Sequence, residues 1–394
     1  MAFPALDAIL QPSPWSLPTG QRAVYLTPMA DATVTRLRPA FRLIMLRALA
    51  LLAVAATILP SRGVAQGMPP SLAQFLQQTI ALTADELSRA TSGQPVVKVL
   101  DPSDRREIAA FGIVRIDVPR SFYVRRAVDF PTSLRDPSRL QFALFSEPAA
   151  PSDVARLTLP HKDVQDLAQC RPGSCHMKLS TQAIADLRAH VDLAAPAADS
   201  AVSAYFRARV LEYVAGYRAR GDSALAIYDD QESRTAAAQV FAAMLARSPY
   251  LYQYAPSLEG YLKHYPSDRP AGISETLFWA DDDLPGLRQT ITITHVVVYT
   301  PPELPGSTLI AAKLLYADHY LDGALELTAV VDQAGDQAAK GIYLVLLRRL
   351  HFDDLPSGGP INVRGKVIGK LRERTTAFLG DAKTRSEQAY ASAP

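Results

Sequence analysis

Cys170 and Cys175, the chain's two cysteines, stand in the stretch CRPGSCH. Four residues separate them, and Pro172-Gly173 favours a tight turn between them. In an oxidising compartment such a pair forms a disulfide. One closing so short a loop stiffens a turn more than it stabilises a fold. Three other chemistries use the same residues. His176 directly after the second thiol fits c-type haem attachment at Cys170, Cys175 and His176, although that chemistry normally has two residues between the thiols. A redox-active dithiol also wants the closer spacing. A metal site would use both thiolates with His176 or His161, in competition with oxidation. The structural disulfide is the expectation taken forward.

The remaining polar residues form no catalytic signature. The seven histidines (161, 176, 190, 264, 295, 319 and 351) fall into no HExxH motif, and no GxSxG or phosphate-cradling glycine loop occurs. No catalytic or metal-binding residue is therefore assigned. His295 shares a strand face with Ile291, Ile293, Val297 and Tyr299, and His319 lies in the next apolar segment, where the two are candidate cross-strand neighbours. A buried sheet histidine is the ordinary role for each; the sharper one is a polar anchor in an apolar pocket. Asp281, Asp282 and Asp283 precede Leu284-Pro285-Gly286 without the alternate spacing of a calcium loop, and read as a solvated loop or cap, as do Asp353 and Asp354. Tyr250, Tyr252 and Tyr254 recur at period two and Tyr261 and Tyr265 one helical turn apart; packing under a proline-rich loop is preferred to a ring-stacking groove. Arg348-Arg349 and Arg364 to Arg374 read as the solvated face of the last helix.

Any such site must be carried by a chain of 394 residues, of which 48% are apolar and 20% charged, enough to bury a sizeable core. It holds 41 basic and 39 acidic residues. Setting aside the six arginines and two aspartates of the first 65 residues leaves 35 basic and 37 acidic, a net of −2. That balance gives no electrostatic case for nucleic acid or an anionic membrane surface. The first 65 residues read as a leader. Arg36, Arg38, Arg42 and Arg47 precede an apolar run at about 48–59, Pro60 breaks it, and Gly63-Val64-Ala65 supplies a small-x-small cleavage pattern. About a dozen apolar residues fall short of the roughly 20 that span a bilayer. The expectation is a cleaved signal, a mature protein beginning near Gln66, and a periplasmic or extracellular address without a membrane anchor. Met29 and Met45 are alternative starts.

The elements follow from periodicity. Residues 71–90 carry Leu72, Phe75, Leu76, Ile80 and Leu87 at helical spacing. Residues 108–118 and 139–146 read as strands flanking a short helix at 121–130. Helices are expected at 159–170, 181–193, 201–221 (closed by Gly221) and 234–248. Residues 291–299, 307–320, 324–333 and 341–352 read as consecutive strands with hairpins at Pro305-Gly306, Asp322-Gly323 and Gly335-Asp336. After Pro356–Pro360 comes an amphipathic helix with Val363, Val367, Ile368, Leu371, Phe378 and Leu379 on one stripe. The division is 1–65 leader, 66–150 N-terminal helix and first strands, 151–287 helical insertion or subdomain with the cysteine hairpin, and 288–394 antiparallel strands plus C-terminal helix.

The fold class is α+β: an antiparallel meander wrapped on a long C-terminal helix, with a helical insertion. By its order of elements over 108–146 and 288–380 this resembles the helix-grip (START-like) superfamily, and the resemblance implies an apolar ligand between sheet and helix. YADHYLDGALELT (316–328), with the two-cysteine hairpin, also looks like a group of bacterial exported proteins of unknown role, which implies no activity. The leading functional expectation is an exported, non-enzymatic protein binding a hydrophobic small molecule or lipid. Candidate ligand-binding residues are His295, His319, Tyr299, Tyr316 and Phe378. The alternatives are an envelope interaction or scaffold protein with a solid core, a hydrolase with a dispersed site, and a haem protein.

Overall fold

Period-two alternation between two kinds of cover builds the centre of the molecule. In the computed structural model, residues 67–135, 138–283, 287–335, 340–355 and 362–393 are described. The leader and its cleavage pattern lie outside them, as do Leu284-Pro285-Gly286, Asp336 and Pro356–Pro360. The strands are β1 (Val96–Leu100), β2 (Glu107–Ile116), β3 (Arg139–Leu144), the short β4 (Ile227–Tyr228) and β5 (Thr235–Ala236), β6 (Ser274–Asp282), β7 (Thr290–Tyr299), β8 (Ser307–Ala317), β9 (Leu321–Asp332) and β10 (Ile342–Phe352). Eight of them form one antiparallel sheet in the order β1-β2-β10-β9-β8-β7-β6-β3, while β4 and β5 pair separately.

One sheet face is covered by the last helix, α11 (Val363–Ala391). Ile108 and Ala110 of β2, with Leu350 and Phe352 of β10, meet Val367 and Leu371; Val114 and Leu344 meet Leu379. Gly112 lets α11 approach β2 closely: a Cβ there would stand 2.8 Å from the Leu379 side chain and 3.0 Å from that of Thr375. Two short helices, α3 (Arg120–Ala127) and α4 (Phe130–Ser133), cover the same face further along, with Leu134 packed near Phe278, Val296 and Ile310.

The opposite face carries the helical layer. It comprises α1 (Pro70–Gln74), which runs on as a π-turn at Phe75–Thr79, α2 (Ala84–Thr91), α5 (His161–Gln169), α6 (Thr181–His190), α7 (Ala198–Arg220), α8 (Ala237–Ala246), α9 (Pro249–Tyr254) and α10 (Pro256–His264). Their apolar residues join Phe111, Val297, Leu325 and Val345 of the sheet in one core. The 151–287 segment thus buries its apolar side on the sheet.

The structure departs from the sequence expectations at several points. The helix expected over 71–90 is broken, because Ala81 takes φ 55° and Thr83 restarts the chain with a capping box to Glu86. Asp322-Gly323 is not a turn. It lies within β9, and the β8–β9 turn is Asp318–Tyr320, with Tyr320 at φ 61°. Asp281 and Asp282 end β6 rather than occupying a solvated loop; both are buried, and Asp282 receives two hydrogen bonds from Arg139 at 2.8 and 3.1 Å. Arg348 and Arg349 are likewise buried in β10, not part of a solvated helix face. β1 and β6 were not expected: β1 is a five-residue edge strand, and the β6 sequence SETLFWADD has too little alternation to mark it.

Candidate functional site

The α11 face of the sheet contains a charged pair among apolar neighbours. Register places Ala110, Arg348, Glu326, Ala312 and Val296 in one row across β2, β10, β9, β8 and β7. Arg348 and Glu326 stand directly opposite one another, and the Arg348 Nε donates to the Glu326 carboxylate at 2.6 Å. Burial of both side chains to 5% exposure or less removes them from water, where an unpaired charge would be untenable. Ala110 and Ala312, both buried, flank the pair in this row.

The pair is roofed from both helices. Arg348 Nη1 reaches Thr375 Oγ1 of α11 at 3.5 Å, and the guanidinium lies 5.2 Å from the Phe378 ring centroid. Tyr123 of α3 is buried on this face, and its hydroxyl is pushed well above its ordinary pKa by burial and then by the Glu326 charge. A groove of about 170 Å³ runs between α3 and α11, lined by Tyr123, Ala127, Ser133 and Phe378, with exposed Arg126 and Arg385 beside it. Among the described residues, Arg348 Nη2, Ser133 Oγ and Thr294 Oγ1 are buried on this side of the sheet without a hydrogen-bond partner, and Ser133 lines the groove. Each such group costs about 1–3 kcal/mol relative to a satisfied one. Chemically, the groove can hold an apolar body, and Ser133 Oγ beside it can hydrogen-bond one polar end. The Ser133 hydroxyl is uncharged and can donate or accept, so it matches a carbonyl or hydroxyl.

The five candidate residues are not brought together. Phe378 lines the groove. His295 faces the helical layer, where its ring nitrogens lie 3.0 Å from Tyr217 Oη and 3.2 Å from the Glu275 carboxylate; burial pushes its pKa down. Its cross-strand partner is Lys313, not His319. Tyr299 faces the helical layer too, 3.3 Å from Ser257 Oγ. A bulge in β8 between the Thr294–Leu314 and Ile293–Tyr316 pairs turns Tyr316 to that side as well, where its hydroxyl donates to the Lys178 carbonyl at 3.1 Å.

His319 sits at the end of the sheet, in a polar network that fastens the cysteine loop. Cys170 and Cys175 are joined by a disulfide. Beyond it, the His176 carbonyl accepts from His319 Nδ1 at 2.8 Å, and His319 Nε2 lies 3.3 Å from the Asp163 carboxylate. Burial would lower the His319 pKa, but the charges of Asp318 and Asp163 outweigh it and the net direction is up. Buried Lys178 donates to Asp322 at 2.7 Å, with Asp230 and Asp353 each 3.7 Å away and the Tyr228 ring 4.5 Å beneath it. Burial raises the pKa values of Asp230 and Asp353. Lys178 is surrounded by carboxylates, and the network ties α5 and the 170–178 loop to the β8–β9 turn. Among the described residues no group of three or more His, Cys, Asp or Glu is arranged to hold a metal ion.

Sequence reasoning passed over Arg348, although a signal was present. Leu344, Leu346, Arg348 and Leu350 share one parity in β10, as Ala324, Glu326, Thr328 and Val330 do in β9. A charge of each sign at inward positions of adjoining strands marks a buried pair.

No protein-family model matches the chain, and no curated protein matches it. A solved START superfamily protein from Mycobacterium smegmatis is similar at 19% identity over 38% of this chain and 90% of the other, with a TM-score of 0.20. An overlap at that TM-score carries no argument for fold or ligand. No helix among the described residues is long and apolar enough to cross a membrane.

Proposed function

We propose that this protein is an exported binding protein for an apolar small molecule or lipid, held between the sheet and α11 in the groove beside α3. The carrying observation is the groove between α3 and α11, lined by Tyr123 and Phe378 and bordered by Ser133, whose buried Oγ lacks a partner. Polar groups buried without partners are rare in proteins, and one beside a partly apolar groove suits the polar end of a ligand. Export rests on the arginine-flanked apolar run and small-residue exit of the leader, and the Cys170–Cys175 disulfide suits an oxidising compartment. Burial of the apolar body supplies affinity at about 25 cal/mol per Å². The neutral polar end selects among candidates, because an analogue lacking it leaves the Ser133 hydroxyl unpaired.

The test is native mass spectrometry of the full chain, exported to an oxidising compartment and purified without detergent. An excess mass that is lost on denaturation is expected, and its value identifies the ligand class. A polypeptide lighter only by the two hydrogens of the disulfide, with no excess in repeated preparations, would remove the basis for this reading.

A further inference from the structure

We propose that a chamber on the opposite face of the sheet is a separate site for a small, uncharged, mainly apolar molecule carrying one hydrogen-bond acceptor. The chamber lies between α5, α6 and α7 and the sheet and holds about 240 Å³. Val202, Phe206 and Val210 of α7 form its helical wall, Ile293 and Tyr316 its sheet side, and Leu159 and Met177 line it as well. It faces away from α11, so it is not an extension of the groove. An apolar cavity of about 150 Å³ is large enough to take benzene, so this one accommodates a substituted benzene ring or a body of similar bulk.

Three observations define the occupant. The walls are overwhelmingly apolar, which favours a molecule that gives up little hydration on entry. The two cations that reach the lining are already engaged. Lys178 is held by Asp322, with Asp230 and Asp353 beside it, and Arg209 pairs with Glu212 at 2.5 Å and lies over the Tyr205 ring. An anionic ligand would therefore have to displace an existing partner. Finally, the Tyr205 hydroxyl, which borders the chamber, is buried and has no hydrogen-bond partner. It is a donor waiting for an acceptor. Met177 supplies an adaptable wall able to follow ligands of different outline. Ile227 at 37% exposure and the exposed Arg209 mark the side that opens to solvent.

Three probes with equal numbers of heavy atoms separate these requirements: acetophenone, propylbenzene and benzoate. Each is titrated into the full chain labelled with carbon-13 at the methionine methyls, and the Met177 resonance is followed. Acetophenone is expected to shift that resonance saturably and to bind about three- to tenfold tighter than propylbenzene, the margin of one hydrogen bond. Benzoate is expected to bind at least tenfold more weakly than acetophenone. Tyr205→Phe should erase the preference for acetophenone while leaving propylbenzene unchanged. Val202→Trp, which fills the chamber, should abolish the Met177 response to both. Benzoate binding as tightly as acetophenone, an unchanged preference in Tyr205→Phe, or no saturable Met177 shift with either neutral probe would each overturn the proposal. Should Val202→Trp not fold, Tyr205→Phe still decides it, since that change removes one oxygen from a partly exposed side chain.

Discussion

Asp318 is fully buried, yet only one of its carboxylate oxygens is partnered, accepting the Ile291 N–H at 2.8 Å. Burial pushes its pKa up to about 7, helped by the Asp163 and Asp281 charges and opposed by His319. Neighbouring Asp281 is raised to about 6, again chiefly by burial. A folded-state pKa above the unfolded value near 3.9 means that the native state favours the protonated acid. The stability this contributes is complete below about pH 4 and is lost as pH rises through 7. Asp318→Asn keeps the acceptor for Ile291 without a charge. It should match the parent near pH 4 and exceed it by about 1–3 kcal/mol at pH 8, measured by urea unfolding across that range. Equal pH profiles for the two proteins would mean that Asp318 is already ionised at pH 4. Arg348 and Glu326 pose the complementary problem. Arg348→Met alone strands the Glu326 carboxylate and should cost about 3–5 kcal/mol, whereas Arg348→Met with Glu326→Leu should be near neutral. A double-mutant cycle on unfolding free energies checks this, and a double variant as unstable as the single would show that the pair is worth more than its desolvation.

Between elements, the close packing of α11 on β2 depends on a missing side chain. Gly112→Val would force a Cβ into the space of Leu379 and Thr375. The variant should lose about 1–3 kcal/mol in thermal or urea unfolding, since α11 must shift away from the sheet. Full stability would mean that α11 rests on β2 less tightly than these distances require. At this scale much was legible in sequence. β2, β7, β8 and β10 alternate or run apolar for ten or more residues, and α11 keeps its stripe from Val367 to Leu379, because each buries a long continuous surface. The illegible parts have specific causes. The β8–β9 turn uses Tyr320 in a left-handed conformation that glycine ordinarily supplies, so Asp322-Gly323 was the more visible turn signal. The site was less legible than the fold. Phe378 belonged to a visible helical stripe, but the Arg348–Glu326 pair is assembled across strands, and its one trace in sequence is a lone charge at an inward position of each strand. The helical-layer environment of His295, made by Tyr217 and Glu275, is equally non-local.

For the molecule as a whole, one sheet serves two covers, and the covers differ in kind. On the helical-layer side, eight helices contribute to one continuous core. On the other, the apolar contacts divide into separate clusters, under the start of α11, under its middle with α3, and beneath α4, with the Arg348–Glu326 pair between them. A face packed in patches around a neutral polar centre is suited to accept a guest, whereas the continuous core carries the stability. Ala312 stands beside Glu326 in the central row and directs its methyl group to the patchy side. Replacing it with Phe extends a ring over the α11 face of the sheet, beside the Arg348–Glu326 pair. If the groove side has room to spare, Ala312→Phe should unfold within about 1 kcal/mol of the parent when both are ligand-free, the ring's burial offsetting local strain. The parent should gain about 2.7 kcal/mol at a ligand concentration a hundredfold above the dissociation constant, while the variant should gain nothing. Thermal unfolding of both proteins, with and without the molecule identified by native mass spectrometry, measures all four states. A variant that keeps the ligand-dependent gain would move the binding site away from the α11 face. A variant strongly destabilised without ligand would show that the space above Ala312 is already filled by α11 and α3, and the sheet would then have solid cover on both sides.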